Sequence, residues 1–348
     1  MKNKTINWKI VAIVIFTLLI LCIGIYLLIS SFNIKNDTSI SDEINLSSWV
    51  NNSKSKEELI NYVEEITKEN GNNYIPVENR IAVFDLDGTI FSETAPIAIY
   101  WDLFLYRILE DSDYKNIATN EQVNVATRIQ EDIKKGKNPN FSSKASLREE
   151  AFKGMTVEDF ENYVAKFLLL PSSSFNGITK KEEFFKPMLE VIKYLQNNDF
   201  TIYICSGTNR FMIRALIKDV IDIPENQVIG TDPLTTGGNN KSDMILTGNV
   251  GVMNTNINKV NSIKKEINKQ PVLVFGNSSV DYDMAKFAIS NNPYKSKAFM
   301  VVNDDTTREN GNISRNSNLY NICEKNGWTP ISMKNDWKTI YGDTVTKK

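Results

Sequence analysis

Four short, largely apolar runs constrain this chain more than any other feature. They are Arg80–Phe84 (RIAVF), Phe200–Cys205 (FTIYIC), Pro271–Phe275 (PVLVF) and Ala298–Val302 (AFMVV). Each is short and continuous, the pattern of a strand buried on both faces. Helical patterns lie between them, among them Phe185–Asn197 and Phe211–Val220. Strands alternating with helices predict an α/β fold with a parallel sheet covered on both faces. Ligands of such sheets bind beyond the carboxyl ends of the strands, so the residues just past each run matter most.

One stretch interrupts the alternation. Residues 94–184 hold no convincing strand but several helical patterns: Pro96–Leu109, Glu121–Lys135, Ser143–Phe152 and Thr156–Leu168, the last capped by Thr156 with Asp159. This predicts a helical domain inserted after the first strand and covering the sheet's active edge. The aromatic run Tyr100, Trp101, Phe104, Tyr106 reads as the packed face of its first helix.

The amino end reads as a membrane anchor. Ile10–Ile29 is 20 residues without a charge, enough at about 1.5 Å per residue to cross roughly 30 Å of hydrocarbon. Lys2, Lys4 and Lys9 precede it, and Lys35, Asp37, Asp42 and Glu43 follow. Positive charge stays inside, which predicts a cytoplasmic tail over 1–9, a transmembrane helix over 10–30, a bilayer as partner and an extracytoplasmic remainder. A cleaved signal peptide is one rival, against which stand the length of the run and the lack of a nearby small-x-small site. A lipid-modified Cys22 is the other, against which stand the bulky Leu21 before it and its place in the middle of the run. Residues 31–54 are polar and read as a stalk. A helix is expected from Ser55, with Glu58 completing a capping box, to near Gly71.

The formal net charge of -2 and a pI near 5.6 give no sign of a nucleic-acid partner. The chain has no histidine, which excludes Ser-His-Asp and Cys-His catalysis and every histidine-ligated metal site. Of the three cysteines, Cys22 lies in the apolar run. A Cys205–Cys323 bridge is formally possible, but Cys205 reads as a small buried hydrophobe. Acid–base work therefore falls to carboxylates, lysine, tyrosine or cysteine.

Past the first run comes Asp85-Leu86-Asp87-Gly88-Thr89, two carboxylates that can face one site if the chain turns, which Gly88 permits. Past the second comes Ser206-Gly207-Thr208, a hydroxyl expected at the mouth of a helix, where open N–H groups suit an anion. Past the third comes Gly276-Asn277-Ser278-Ser279-Val280-Asp281, offering hard oxygen donors. Lys259 opens the helix before that run; Lys264 and Lys265 follow within about a turn.

In that order the three motifs resemble the haloacid dehalogenase superfamily, over roughly residues 80–302. The helical insertion resembles the first type of cap in its phosphoserine phosphatase-like members. The resemblance implies a Rossmann-like core (residues 55–93 and 185–348), a cap over 94–184 and a magnesium-dependent phosphatase. Asp85 would attack phosphorus to form an aspartyl phosphate. Asp87 would protonate the leaving group and then activate water. Ser206 would bind a phosphoryl oxygen with Gly207 and Thr208 beside it, and Lys259 would balance charge. Magnesium would bind Asp85, the Asp87 carbonyl and either Asn277 or Asp281. An acid at Asp87 favours phosphate esters over halides, and a closing cap favours a small phosphorylated molecule. In the cap, Glu93 resembles a substrate-facing glutamate and Arg148 an arginine that reads a substrate carboxylate, although Arg148 also reads as a helix-surface residue.

One departure stands out: the last motif usually opens Gly-Asp, and here it opens Gly-Asn. A phosphotransferase using the same intermediate, or a catalytically weak anchored binding protein, are the alternatives. The tail after 303 carries Trp328, Trp337 and Tyr341, which argues that it packs on the domain.

Overall fold

The computed structural model describes residues 46–93, 96–137, 139, 144–240, 243–311 and 313–348. The anchor expected over 10–30 and most of the stalk lie outside the described residues. Among those described, no helix is long and apolar enough to cross a membrane.

The described residues form ten strands and eleven α-helices. The core sheet has six strands: β1 (Ile81–Phe84), β3 (Thr201–Asn209), β4 (Val228–Thr231), β7 (Leu273–Gly276), β8 (Lys297–Val302) and β9 (Thr329–Ser332). Their order is β4-β3-β1-β7-β8-β9, and every neighbour pair is parallel. All four residues of β1 and of β7 are buried, as expected where helices cover both faces. The register sets Phe84 beside Ile204 and Phe275, so these three strands end together and deliver Asp85, Cys205–Ser206 and Gly276–Asn277 to one edge.

Two of the six strands were not legible as runs. β4 has only Val228 and Ile229 as bulky apolar residues. β9 carries Pro330, which an edge strand tolerates because its outer N–H positions need no partner. The tail therefore does more than pack: it supplies the sheet's last strand, buries Trp328, Trp337 and Tyr341, and contributes α10 (Ile313–Asn326) and α11 (Met333–Asp336). Cys205 and Cys323 are buried and free.

Residues 46–54 do not behave as the end of a stalk. Leu46 and Trp49 are buried, the Trp49 and Trp337 rings meet edge-on at 6.1 Å, and Val50 N–H donates to Asp336 O. α1 (Lys54–Thr67) is capped by Ser53, not Ser55. Ser53 holds the cap position because its hydroxyl accepts from Lys56 N–H and also reaches Asp336 Oδ1 at 2.8 Å. Glu58 pairs with Lys297 and completes no capping box, and the helix ends at Thr67, short of Gly71.

The insertion is mainly helical: α2 (Ile99–Leu105) running into a π-helical turn at Tyr106–Glu110, α3 (Asn120–Lys134), α4 (Ala145–Glu150) and α5 (Val157–Leu168), but against expectation it also holds a two-residue strand, Phe175–Asn176. Its centre is aromatic. Phe152 packs on Tyr100 and Phe160, and Trp101 on Phe104. The cap is not confined to 94–184. A hairpin of β5 (Pro233–Gly237) and β6 (Met244–Val250) leaves the core after β4 and joins it, with Gly154 N–H donating to Leu246 O and Leu246 N–H to Met155 O. The turn sequence Gly237-Gly238-Asn239-Asn240 between two threonine-bearing stretches was the available signal.

Apart from that hairpin, the chain passes from core to cap near Phe91 and back near Phe184. The crossings are tied together by an antiparallel bridge between Phe91 and Phe184, and by Ser92 N–H to Glu183 O and Phe185 N–H to Ile90 O. α6 (Lys186–Asn197) then returns to the core. The last residues straddle this hinge, because β10 (Thr346–Lys347) pairs with β2 (Phe175–Asn176).

Candidate active site

The site begins where β1 ends. Asp85 N–H still donates to Phe275 O, and the chain then turns through Leu86–Phe91, with Gly88 at φ 79°. A Cβ on Gly88 would lie 1.9 Å from Asn277 Nδ2, so glycine is needed there both for the turn and for the approach of the β7 loop. That turn sends Asp85 and Asp87 toward one place.

Asp85 is buried, and its Oδ1 accepts from Lys259 Nζ at 2.5 Å. Its Oδ2 accepts one long bond, 3.4 Å, from Thr89. Lys259 lies in the first turn of α8 (Ile257–Glu266) and is fully buried; the same Nζ donates to Asp281 Oδ1 at 2.6 Å. Asn256 at φ 53° starts that helix and donates its N–H to Val280 O, which fixes α8 against the β7 loop. One lysine thus bridges two buried carboxylates. Burial alone would lower the Lys259 pKa, but Asp281 and Asp85 outweigh it and hold the ammonium charged. Burial and the Asp281 charge push Asp85 upward, and Lys259 opposes them. Lys264 instead stacks over Phe287.

Asp281 is committed on its other oxygen too. Its Oδ2 accepts the N–H groups of Asn277 and Ser278 at 3.0 and 3.1 Å, so it shapes the β7 loop. Gly276 allows this closeness, since a Cβ there would sit 2.6 Å from Asp281 Cβ. Asn277 is buried, with its Nδ2 donating to Glu93 Oε2 at 3.1 Å.

Asp87 has a different environment. Its Oδ2 accepts from Thr208 Oγ1 at 2.7 Å and from Ser206 Oγ at 3.5 Å, and its Oδ1 has no partner among the described residues. Burial raises its pKa to about 6, Thr208's hydrogen bond draws it down, and Glu93 raises it. A carboxyl poised there can hold or release a proton near neutrality.

Asp85, Asp87, Ser206, Thr208, Lys259, Asn277, Asp281 and Glu93 therefore converge. Two expectations need correction. Ser206 and its neighbours do not open a helix: β3 continues through Asn209, and α7 (Arg210–Ile217) begins after it, with Asn209 Oδ1 accepting the first free N–H groups, Phe211 and Met212. Nor is Arg148 on a helix surface. It is buried, bonds Glu149 Oε1 at 2.8 Å, and stacks 4.0 Å from the Tyr100 ring centroid. Tyr100 OH in turn donates to Glu149 and accepts from Asn209 Nδ2 at 3.3 Å, so Arg148 joins the cap to the end of β3. A cavity of about 820 Å³ lined by Glu158, Glu161, Arg214 and Lys218 lies between α5 and α7, not at the carboxylates.

Asn254 and Thr231 were missed by sequence reasoning. Asn254 Nδ2 donates to Ser206 O at 3.0 Å, and Thr231 Oγ1 to Gly207 O at 2.7 Å. Neither stands in a motif, and only the three-dimensional meeting of β4 with the segment before α8 reveals them.

Residues 82–286 match the family profile of haloacid dehalogenase-like hydrolases. Among solved structures, a conserved functionally unknown protein from Anaerococcus prevotii DSM 20548 is 13% identical, with a TM-score of 0.51, over 80% of this chain and 92% of its own. A protein of unknown function from Bordetella pertussis Tohama I is 16% identical, with a TM-score of 0.47, over 73% and 98%. A substrate-bound phosphoserine phosphatase is 16% identical, with a TM-score of 0.35, over 64% and 86%. No curated protein sequence matches.

Proposed function

The chain belongs to the haloacid dehalogenase-like hydrolases, and from that premise we propose that it is a magnesium-dependent phosphomonoesterase acting on a small organic phosphate. The observation that carries the proposal is the separation of two neighbouring carboxylates into two environments. Asp85 touches a buried ammonium, whose charge favours the ionised form a nucleophile needs against the burial and Asp281 charge that raise its pKa to about 8. Asp87 is held by hydroxyls, with a pKa near 6, which suits an acid that later becomes a base.

Asp85 Oδ2 would attack phosphorus while Asp87 gives its proton to the departing alkoxide, leaving an aspartyl phosphate. Asp87, now ionised, would take a proton from the water that hydrolyses it. Ser206 and the amides beside it would bind phosphoryl oxygens, and Lys259 would balance the charge on Asp85. The donor set fits magnesium: the Asp85 carboxylate, the Asp87 carbonyl and the Asn277 carboxamide oxygen are hard oxygen donors. The hydrogen bond to Glu93 assigns Asn277 Nδ2 and leaves its oxygen as an acceptor. Asp281 fits less well, because both its oxygens already hold Lys259 and the loop amides. Bound magnesium would neutralise phosphoryl charge.

The site of action is proposed to be the outer face of a membrane, on the sequence alone: the uncharged segment 10–30 with lysines before it. The cap makes a small substrate the better fit, because aromatic packing and the hairpin close it over the strand ends.

Phosphate release by the full chain in mild detergent, from a panel of small phosphomonoesters with magnesium or EDTA, tests the proposal. Metal-dependent release abolished in Asp85→Asn is the expected result. Release that persists in that variant would refute the mechanism.

A further inference from the structure

We infer that Thr231 and Asn254 are positioning residues that aim the Gly207 N–H at the phosphate and, through the Thr208 N–H that bonds its oxygen, hold the Ser206 hydroxyl beside it; this rests on the phosphatase reading above. Both are 2% exposed, and neither is hydrogen-bonded to a catalytic side chain. Their partners are main-chain carbonyls. Asn254 Nδ2 donates to Ser206 O at 3.0 Å, and Thr231 Oγ1 donates to Gly207 O at 2.7 Å. The two are also joined, because Asn254 N–H donates to Thr231 Oγ1 at 3.0 Å.

The consequence follows from peptide geometry. In a trans peptide the C=O of one residue and the N–H of the next point in opposite directions. Holding Ser206 O and Gly207 O on the Asn254–Thr231 side turns the N–H groups of Gly207 and Thr208 to the other side. That side is the catalytic one: Thr208 N–H meets Ser206 Oγ at 3.1 Å, and the Ser206 and Thr208 hydroxyls reach Asp87 Oδ2. Donors fixed in advance cost no reorganisation when charge develops on the phosphoryl oxygens. Without the clamp, both peptide units could rotate and spend part of their time facing away.

The clamp also stands at the root of the hairpin. Thr231 ends β4, Asn254 follows β6 by four residues, and the chain between them pairs with the cap through Leu246. The cap's attachment and the phosphate loop therefore share one hydrogen-bonded junction.

The test uses the full chain with para-nitrophenyl phosphate as substrate and inorganic phosphate as competitor, comparing Thr231→Val, Thr231→Ser and Asn254→Asp. Thr231→Val and Asn254→Asp should raise KM and the phosphate inhibition constant roughly tenfold, the effect of one lost buried hydrogen bond. Thr231→Ser keeps the hydroxyl and should stay within about twofold of the parent. A purely structural role would instead lower the unfolding temperature of Thr231→Val and leave phosphate affinity unchanged; that outcome overturns the inference, as does equal behaviour of Thr231→Val and Thr231→Ser. Should Thr231→Val not fold, Asn254→Asp decides by the same criterion. The Gly207 amide resonance gives a readout independent of turnover. If the parent hydrolyses nothing, a phosphate-induced shift present in it and lost in the variant keeps the clamp while the phosphatase reading fails. No shift in the parent overturns both.

Discussion

Two clusters of buried carboxylates lie in this molecule, one at the strand ends and one at the hinge, and they solve the same problem differently. At the strand ends, Asp85 and Asp281 share the ammonium of a fully buried lysine. At the hinge, Glu183 and Glu309 are also buried, and Tyr341 OH donates to Glu309. Lys180, whose charge lowers the Glu183 pKa, is committed to Asp102 and Ser173. Glu183 Oε1 has no hydrogen-bond partner among the described residues. Burial raises the Glu183 pKa to about 8, with Ser172 and Lys180 pulling it down and Asp102 and Glu309 pushing it up. Burial and the Asp281 charge raise Asp85 to about 8 as well, against the pull of Lys259, so the two clusters differ in contact and not in direction: Asp85 touches an ammonium, and among the described residues Glu183 does not. The strand-end cluster is built around a lysine; at the hinge, burial holds the Glu183 carboxyl toward its protonated form.

The strongest way to break the contrast is to make the site resemble the hinge. Lys259→Met removes the dedicated cation and leaves two carboxylates facing each other. Turnover should vanish, and urea unfolding should show a loss of about 3–5 kcal/mol, the cost of orphaning a buried charge. An unchanged unfolding midpoint would mean that the bridge carries no such weight.

Next in size is the hinge itself. The folded pKa of Glu183, about 8, lies above its ordinary value of 4.5, so the native state holds this proton more tightly than the unfolded chain. Its contribution to stability is complete below about pH 4 and is lost as pH rises toward 8. Between pH 5 and 8 the parent should lose on the order of 2–4 kcal/mol from this group, and Glu183→Gln should lose much less. Parallel stability–pH profiles for the two proteins would show that Glu183 is not held protonated.

The smallest expected effect comes from Asn277→Asp, which adds a carboxylate at the catalytic edge without a cation. Half-maximal activation should need several-fold less magnesium, because the metal gains a charged ligand. An unchanged magnesium titration would remove Asn277 from the metal set.

These clusters also differ in how far the sequence revealed them. Asp85, Asp87, Ser206, Lys259, Asn277 and Asp281 could be singled out along the chain because each lies in a motif at the end of an apolar run or in the first turn of a helix; the structure brings them together, with Ser206 still inside β3. The four runs likewise located β1, β3, β7 and β8 to within a few residues, and the insertion read as helical. What stayed hidden depends on contacts between distant segments. Glu183 and Glu309 meet only because the tail folds back over the hinge. Ser53 outcompeted Ser55 as a helix cap because Asp336, far along the chain, bonds its hydroxyl. Arg148 looked like a surface residue because helical periodicity cannot show that Tyr100 and Glu149 enclose it. β4 and β9 carry too few apolar residues to announce themselves before their neighbours are in place.

The most direct test of the central claim is to quench the full chain in acid during turnover of a radiolabelled phosphomonoester with magnesium, and to map the label by mass spectrometry. The account predicts an acid-stable, base-labile phosphoryl group on the peptide containing Asp85, absent from Asp85→Asn. Turnover without any label at Asp85, undiminished in that variant, would contradict it.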